Sequence, residues 1–171
     1  MVAGSILPVA IYKNQLYFLF GKENPMEDSA KGWSDFGGKM EMGETPYKAA
    51  LREGSEELTG FLGDSAALKT LIKKKGGVYE ITLNSYHVHI FLIDYDENLP
   101  KYYNNNHHFL WKRMNQKTLN ESRLFEKIEI NWMTPSDMKT KRRIFRPFYR
   151  NIVDVILDDI KNIKQFLLSR P

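Results

Sequence analysis

Three glutamates, Glu53, Glu56 and Glu57, stand at i, i+3 and i+4 in a segment whose pattern predicts a helix from about Thr45 to Thr59. Those offsets put three carboxylates on one side of a helix, within about a turn of one another. Like charges at this spacing repel, and in the C-terminal half of a helix they also oppose its dipole. An arrangement that costs stability twice calls for something positive to sit against. A hard divalent cation, Mg²⁺ or Mn²⁺, suits all-oxygen ligands and commonly shares them with waters and phosphate oxygens. The bland alternative is a solvated acidic face. Upstream, Gly37-Gly38 allows close backbone approach and frees a carbonyl to face the same cation. Arg52 can pair with Glu44 at the helix entry and fix the loop against the helix, although a surface pair adds little stability.

The elements that must position these residues follow from pattern. Ser5 to Tyr12 and Leu16 to Gly21 are β-rich apolar runs separated by Lys13-Asn14-Gln15, a hairpin signal. Asn24 to Gly32 is polar, contains Pro25 and reads as a loop. Trp33 to Met40 alternates and suggests one short strand. The helix that follows has Thr45 as N-cap, Pro46 at its first position and Gly60 as its stop. Tyr47, Ala50, Leu51, Gly54 and Leu58 share one face. Asp64 to Lys74 predicts a short helix on Leu68, Leu71 and Ile72. Gly77 to Leu83 and Tyr86 to Tyr95 predict strands joined by Asn84-Ser85. Asn98 to Asn120 is polar and aromatic-rich, and no element is assigned to it. Lys127 to Met133 predicts a strand, Thr134-Pro135-Ser136 a turn, and the chain from Pro147 one long amphipathic helix. Strands interspersed with helices indicate a layered α/β fold, and 171 residues fit one domain over residues 1–171.

Composition narrows the chemistry. The absence of cysteine excludes thiolate metal sites, disulfides and cysteine nucleophiles. No apolar run approaches the roughly 20 residues that span a bilayer, so no membrane partner is expected. With no secretory signal pattern, the simplest compartment is cytoplasmic, with a nucleus or a virus-infected cytoplasm as alternatives. The net charge of +4 is local: Lys139, Lys141, Arg142, Arg143, Arg146 and Arg150 fall in twelve residues without an acid. Such a segment suits a polyanionic partner or, equally, is a solvated basic turn. His87 and His89 share a strand face, which is a possible metal site but more simply a half-exposed face. Tyr102, Tyr103, His107, His108, Phe109 and Trp111 are candidates to stack a nucleobase, or else core anchors.

The stretch Gly38, Glu44, Arg52-Glu53, Glu56-Glu57 resembles the signature of the Nudix hydrolases: a glycine, five residues, a glutamate, seven residues, Arg-Glu, two residues, Glu-Glu and a glycine soon after. The flanks are also similar, with a preceding hairpin, Trp33-Ser34-Asp35-Phe36 leading into Gly-Gly, and the strand before a final helix. Two positions depart. Gly54 replaces an aliphatic residue and weakens a helix interior by about 1 kcal/mol relative to Ala, which suggests close packing against a bulky neighbour. The last glycine comes one place late, at Gly60 after Thr59.

The resemblance implies an α/β/α sandwich with a mixed sheet between helices, and metal-dependent cleavage of a phosphoanhydride. It further implies Glu53, Glu56 and Glu57 as metal ligands with the Gly38 carbonyl, and Arg52 and Glu44 as part of the catalytic set. Lys39, Trp33, Arg142 and Arg143 become candidates for binding substrate. In the family, Glu53 or Glu56 can alternatively orient the water. The general base often lies elsewhere, here among Asp94, Asp96, Glu97, Glu126 and Glu129. The expected substrate is a nucleoside diphosphate linked to another group. One alternative is capped RNA, cleaved to release m⁷GDP and held by the Lys139–Arg150 segment. Another is a non-catalytic nucleotide-binding module, although such modules usually lose box acids that this chain keeps. The Asn, Lys, Tyr and Ile content hints at an AT-rich genome.

Overall fold

A computed structural model describes residues 1–170, with Arg123 described by its backbone alone. Strands β1 (Ala3–Tyr12) and β2 (Gln15–Glu23) form a hairpin whose register pairs Tyr12 with Gln15. Gln15 is therefore part of the strand, and the turn is Lys13-Asn14 alone, both with positive φ (48° and 62°). Two left-handed residues match the twist of paired strands, which favours this tight connection.

The expected single strand over Trp33 to Met40 is two, β3 (Trp33–Ser34) and β4 (Phe36–Lys39). They part at Asp35, whose carboxylate accepts from Ser5 Oγ (2.5 Å) and Tyr86 Oη (2.6 Å) beneath the sheet. Strands β5 (Tyr79–Leu83) and β6 (Tyr86–Leu92) follow α1 (Pro46–Glu57) and α2 (Ser65–Lys74), and β7 (Lys127–Met133) comes late. Among the described residues all seven strands lie in one sheet. Its main order is β3-β2-β1-β6-β5, with β4 on β1 and β7 on β2. Only β1 and β6 are parallel, so the sheet is mixed.

Helices cover both faces. On one side Ile6, Ala10, Leu19, Phe36, Phe91 and Ile130 pack under α1, α2 and α3 (Asn98–Trp111). On the other, Leu7, Val9, Phe18, Phe20 and Ile90 meet α5 (Pro135–Thr140), α6 (Tyr149–Asp158) and α7 (Ile160–Leu168). This is an α/β/α sandwich, as expected. Among the described residues no helix is long and apolar enough to cross a membrane.

Three helical expectations change. Asn98–Asn120 holds α3 and the short α4 (Gln116–Glu121). The buried face of α3 is carried by Pro100, Tyr103 and His107, not by aliphatic residues, so its hydropathy signal is weak. Thr134-Pro135 opens a helix and does not form an isolated turn, because Thr134 and Asp137 close a reciprocal capping box. The long C-terminal helix is broken at Asp159, where the side chain accepts from Tyr79 Oη (2.5 Å) and Asn162 Nδ2 (2.7 Å).

Candidate active site

The local rules for α1 hold. Thr45 Oγ1 accepts from Lys48 N (3.2 Å), Pro46 occupies the first turn, and Thr59 and Gly60 both take positive φ (54° and 73°) to end the helix. Two glycines press α1 onto β1. A Cβ at Gly4 would lie 1.9 Å from the Pro46 carbonyl oxygen, and one at Gly54 would lie 2.4 Å from Ile6 Cγ1. Ile6 is thus the bulky neighbour that explains a glycine inside the helix.

This close seating brings two carboxylates of α1 onto β4. Glu57 Oε2 accepts from the Gly37 amide (2.9 Å). The Glu53 carboxylate covers Gly38 so tightly that a Cβ there would sit 2.5 Å from its Cδ. Only glycine at position 38 leaves room for Glu53 against the strand, while a side chain at Gly37 would collide with Ser5 and the Gly4 carbonyl. Glu56 projects differently: it is exposed and lines a shallow cavity with Ser55, Thr59 and Leu124. Among the described residues no three acidic or histidine side chains already converge as a metal cage.

Each of the two inward acids faces a cation. Arg52 grips Glu44 with Nε–Oε1 at 2.8 Å and Nη2–Oε2 at 2.9 Å, and reaches Glu53 Oε1 at 2.5 Å. Its Nη2 also donates to the Lys39 carbonyl (3.1 Å), tying strand end, loop and helix together. The hydrogen bonds from Arg52 hold the Glu44 carboxyl down at about 2. Glu57 lies in a different medium. Only 6% exposed, it is 3.8 Å from Lys127 Nζ, itself 1% exposed. Lys127 donates to Glu23 Oε2 (2.9 Å) and Ser34 Oγ (2.9 Å), and Arg146 approaches Glu23 at 3.4 Å. Burial pushes Glu57 up to about 8, outweighing the attraction of Lys127, while Glu23, Glu126 and Asp35 push the same way. Burial also raises Asp35, to about 6. Glu23 is held below its ordinary value: burial opposes this, but Lys127, Arg146 and Ser29 prevail.

The remaining candidates separate by location. Lys39 is exposed at the end of β4, beside the acids. Trp33 is 9% exposed and packed in the core, so little of its ring is left for a ligand. Arg142 is bound by Asp154 through two 2.7 Å contacts, Arg150 donates to the Phe145 and Arg143 carbonyls, and Arg143 is exposed. Much of the basic segment is therefore engaged internally. Asp94 pairs with Lys75 (2.6 Å), and Asp96 caps the Asn98 amide (2.8 Å). Glu97 precedes α3 and Glu129 sits on β7 opposite Lys22, whereas Glu126 lies close enough to Glu57 to raise it. His89 is buried with Nδ1 at 2.9 Å from the Ser5 carbonyl, and His87 pairs with Glu80 (2.8 Å).

Sequence reasoning missed Glu23 and Lys127. The available signal was charge at the ends of otherwise apolar strands, Lys22-Glu23 closing one and Lys127 opening another.

An all-oxygen set of Glu53, Glu57 and the Gly38 carbonyl, with Glu56 at the rim, fits a hard divalent cation, because Gly38 keeps the space beside Glu53 free of a side chain. The NUDIX domain family model matches residues 6–154. A comparison with curated proteins gives no match. Solved structures with the same fold include the M. smegmatis Nudix hydrolase RenU, at 12% identity, 95% of this chain and 88% of that one, TM-score 0.53. A C. elegans Ap4A hydrolase binary complex is similar at 12% identity over 94% and 96%, TM-score 0.53. A mutT/nudix family protein of Listeria innocua is similar at 15% over 98% and 97%, TM-score 0.50. With its box acids seated on β4 and the family match spanning most of its length, the chain belongs to the Nudix family, and its reaction class is that of a Nudix pyrophosphohydrolase.

Proposed function

We propose that the protein hydrolyses a phosphoanhydride bond in a nucleoside diphosphate-linked substrate, using Mg²⁺ or Mn²⁺ held by Glu53, Glu56, Glu57 and the Gly38 carbonyl. The observation that carries this reading is the seating of Glu53 and Glu57 on Gly37-Gly38, each beside its own cation. When bound, the divalent ion neutralises phosphate oxygens that otherwise repel a nucleophile.

The chain's own groups do the rest. Arg52 holds Glu44 and Glu53 in one geometry, so that Glu53 presents its free oxygen to a water. Lys127 and the Gly37 amide fix both oxygens of Glu57. The exposed ammonium of Lys39 meets the phosphate chain as it crosses the end of β4. Overall, the water oxygen bonds to phosphorus as its proton passes to Glu53, the bridging P–O bond breaks, and the leaving phosphate carries off the electron pair.

Capped RNA is the second reading, supported by the cations of the basic segment left exposed, Lys139, Lys141 and Arg143. The test is product analysis with Mg²⁺ on nucleoside triphosphates, nucleotide sugars, dinucleoside polyphosphates and 5′-labelled capped RNA. Turnover is expected on a small nucleotide, reduced at least a hundredfold in Glu57→Gln with unchanged circular dichroism. Full activity in that variant would overturn the assignment. Release of m⁷GDP alone, with steep salt dependence, would select capped RNA.

A further inference from the structure

The aromatic residues of α3 divide by direction. Tyr103 is a core anchor, its hydroxyl donating to the carbonyls of Glu57 (2.7 Å) and Lys127 (3.2 Å). Tyr102 and Phe109 are exposed, with Arg113 over the Phe109 ring. His107, His108 and Trp111 instead turn towards the loop after β2. There, with Met26, Phe125 and Ile128, they line an apolar cavity of 270 Å³. It adjoins a polar cavity of 350 Å³ that shares Asn24, Met26, Trp111 and Phe125 and adds Glu27, Asp28, Asn120 and Ser122.

The walls are built, not incidental. Asn24 donates to the Phe125 carbonyl (2.7 Å), accepts from Met26 N (3.0 Å), and its amide bonds the Glu126 carbonyl (2.9 Å). His107 Nε2 lies 3.1 Å from the Leu124 carbonyl and 3.2 Å from Thr59 Oγ1. Trp111 and Phe125 meet nearly perpendicular, at 80° and 5.6 Å, and neither stacks face to face with another ring among the described residues. In the polar half, Ser122 Oγ has no hydrogen-bond partner among the described residues. The cleft connects to the end of α1 through His107, which meets Thr59 Oγ1 and the Leu124 carbonyl, two residues that line the cavity of Glu56, and Asn24 follows Glu23, which bonds Lys127.

We propose that this two-part cleft receives the base of the substrate, an inference that rests on the nucleotide reading above. A planar heteroaromatic ring enters the apolar half and stacks on Trp111 or Phe125, with its polar edge turned to Asn120 and Ser122. The two volumes bracket the lower end of small-ligand sites, roughly 300–1,000 Å³. Charge sets the orientation. Glu27 and Asp28 line the polar half and would repel phosphates, so the phosphate chain leaves the cleft away from them, on the His107 side that meets the end of α1.

Tryptophan fluorescence tests this without turnover. Titration with AMP or GMP in the absence of metal should quench emission saturably, whereas inorganic pyrophosphate should not. Trp111→Leu should abolish that signal and weaken binding roughly ten- to a hundredfold, the range expected for one base stack. In steady-state kinetics KM should carry the greater part of the loss. Met26→Trp, on an exposed loop residue, should block the cleft and raise KM similarly at an unchanged Tm. It keeps the test open if the Trp111 variant fails to fold. Nucleotide binding unaltered in both folded variants, or hydrolysis with KM unaltered, would overturn the base pocket while leaving the hydrolase standing. Saturable quenching lost in the variants, with no turnover on any substrate, would support the pocket and overturn the hydrolase reading.

Discussion

Glu53 and Glu57 lie four residues apart on one helix, yet they are held by opposite means. Glu53 is half-buried and shares Arg52, its own neighbour in sequence, with Glu44. Glu57 is buried, and its cation comes from Lys127, seventy positions away on another strand. The first arrangement is short-range, partly solvated and screened by water. The second works in a low-dielectric interior, where an unpaired charge is costly. One side of the site is thus designed for geometry at little energetic consequence, and the other couples the site to the stability of the whole sheet.

The largest test of that contrast is Lys127→Met. It leaves Glu23 and Glu57 buried with only Arg146 near Glu23, and should cost about 3–5 kcal/mol in urea unfolding. Adding Glu23→Gln should recover part of the loss. An unchanged unfolding midpoint would mean that the buried network is not structural.

Protonation of Glu57 gives an intermediate effect. Burial raises it from 4.5 to about 8, so in that window the folded chain retains a proton that the unfolded chain releases. Stability therefore falls as pH rises. Below about 6.5 this trend is mixed with Asp35, raised to about 6, and with His89 and His107, whose burial lowers them and works in the opposite sense. Between pH 6.5 and 8 the Glu57 contribution should dominate. Metal-free protein should lose Tm steadily across that range, Glu57→Gln should flatten the profile, and saturating Mg²⁺ should offset it. A flat profile for the parent chain would show Glu57 already ionised.

The smallest effect on stability belongs to the other side. Arg52→Gln should move Tm by roughly 2–4 °C, as expected for the loss of about 1 kcal/mol from a partly solvated ion pair. Turnover should nevertheless fall at least tenfold, since Glu44 and Glu53 lose their common anchor. A large drop in Tm would place this cluster in the same class as the buried one and remove the distinction.

How much of this was legible follows the same division. The caps of α1, its Pro46 start and the Arg52–Glu44 pair were all readable, because each depends on neighbours within a few turns or on a fixed spacing; Gly54 pointed to a bulky neighbour, but that the neighbour is Ile6 on β1 was not readable. Strand β7 was readable at its full length, Lys127 to Met133. The charged partner at its first residue was not, because an ammonium inside a sheet makes sense only once Glu23 and Glu57 are brought to it. Helix α3 escaped because its buried face is aromatic and imidazole. The break at Asp159 depends on a hydroxyl from β5, which no helical periodicity reports.

By itself, then, the sequence determined the reaction class, the helix that carries the acids, and the layered fold, through capping, periodicity and the spacing of a few residues. Tertiary structure alone decided which acid is buried, which cations answer the acids from a distance, and where an aromatic cleft opens beside them. Those properties depend on desolvation and on contacts between elements far apart in the chain, and both arise only when the sheet and its helices close around the site.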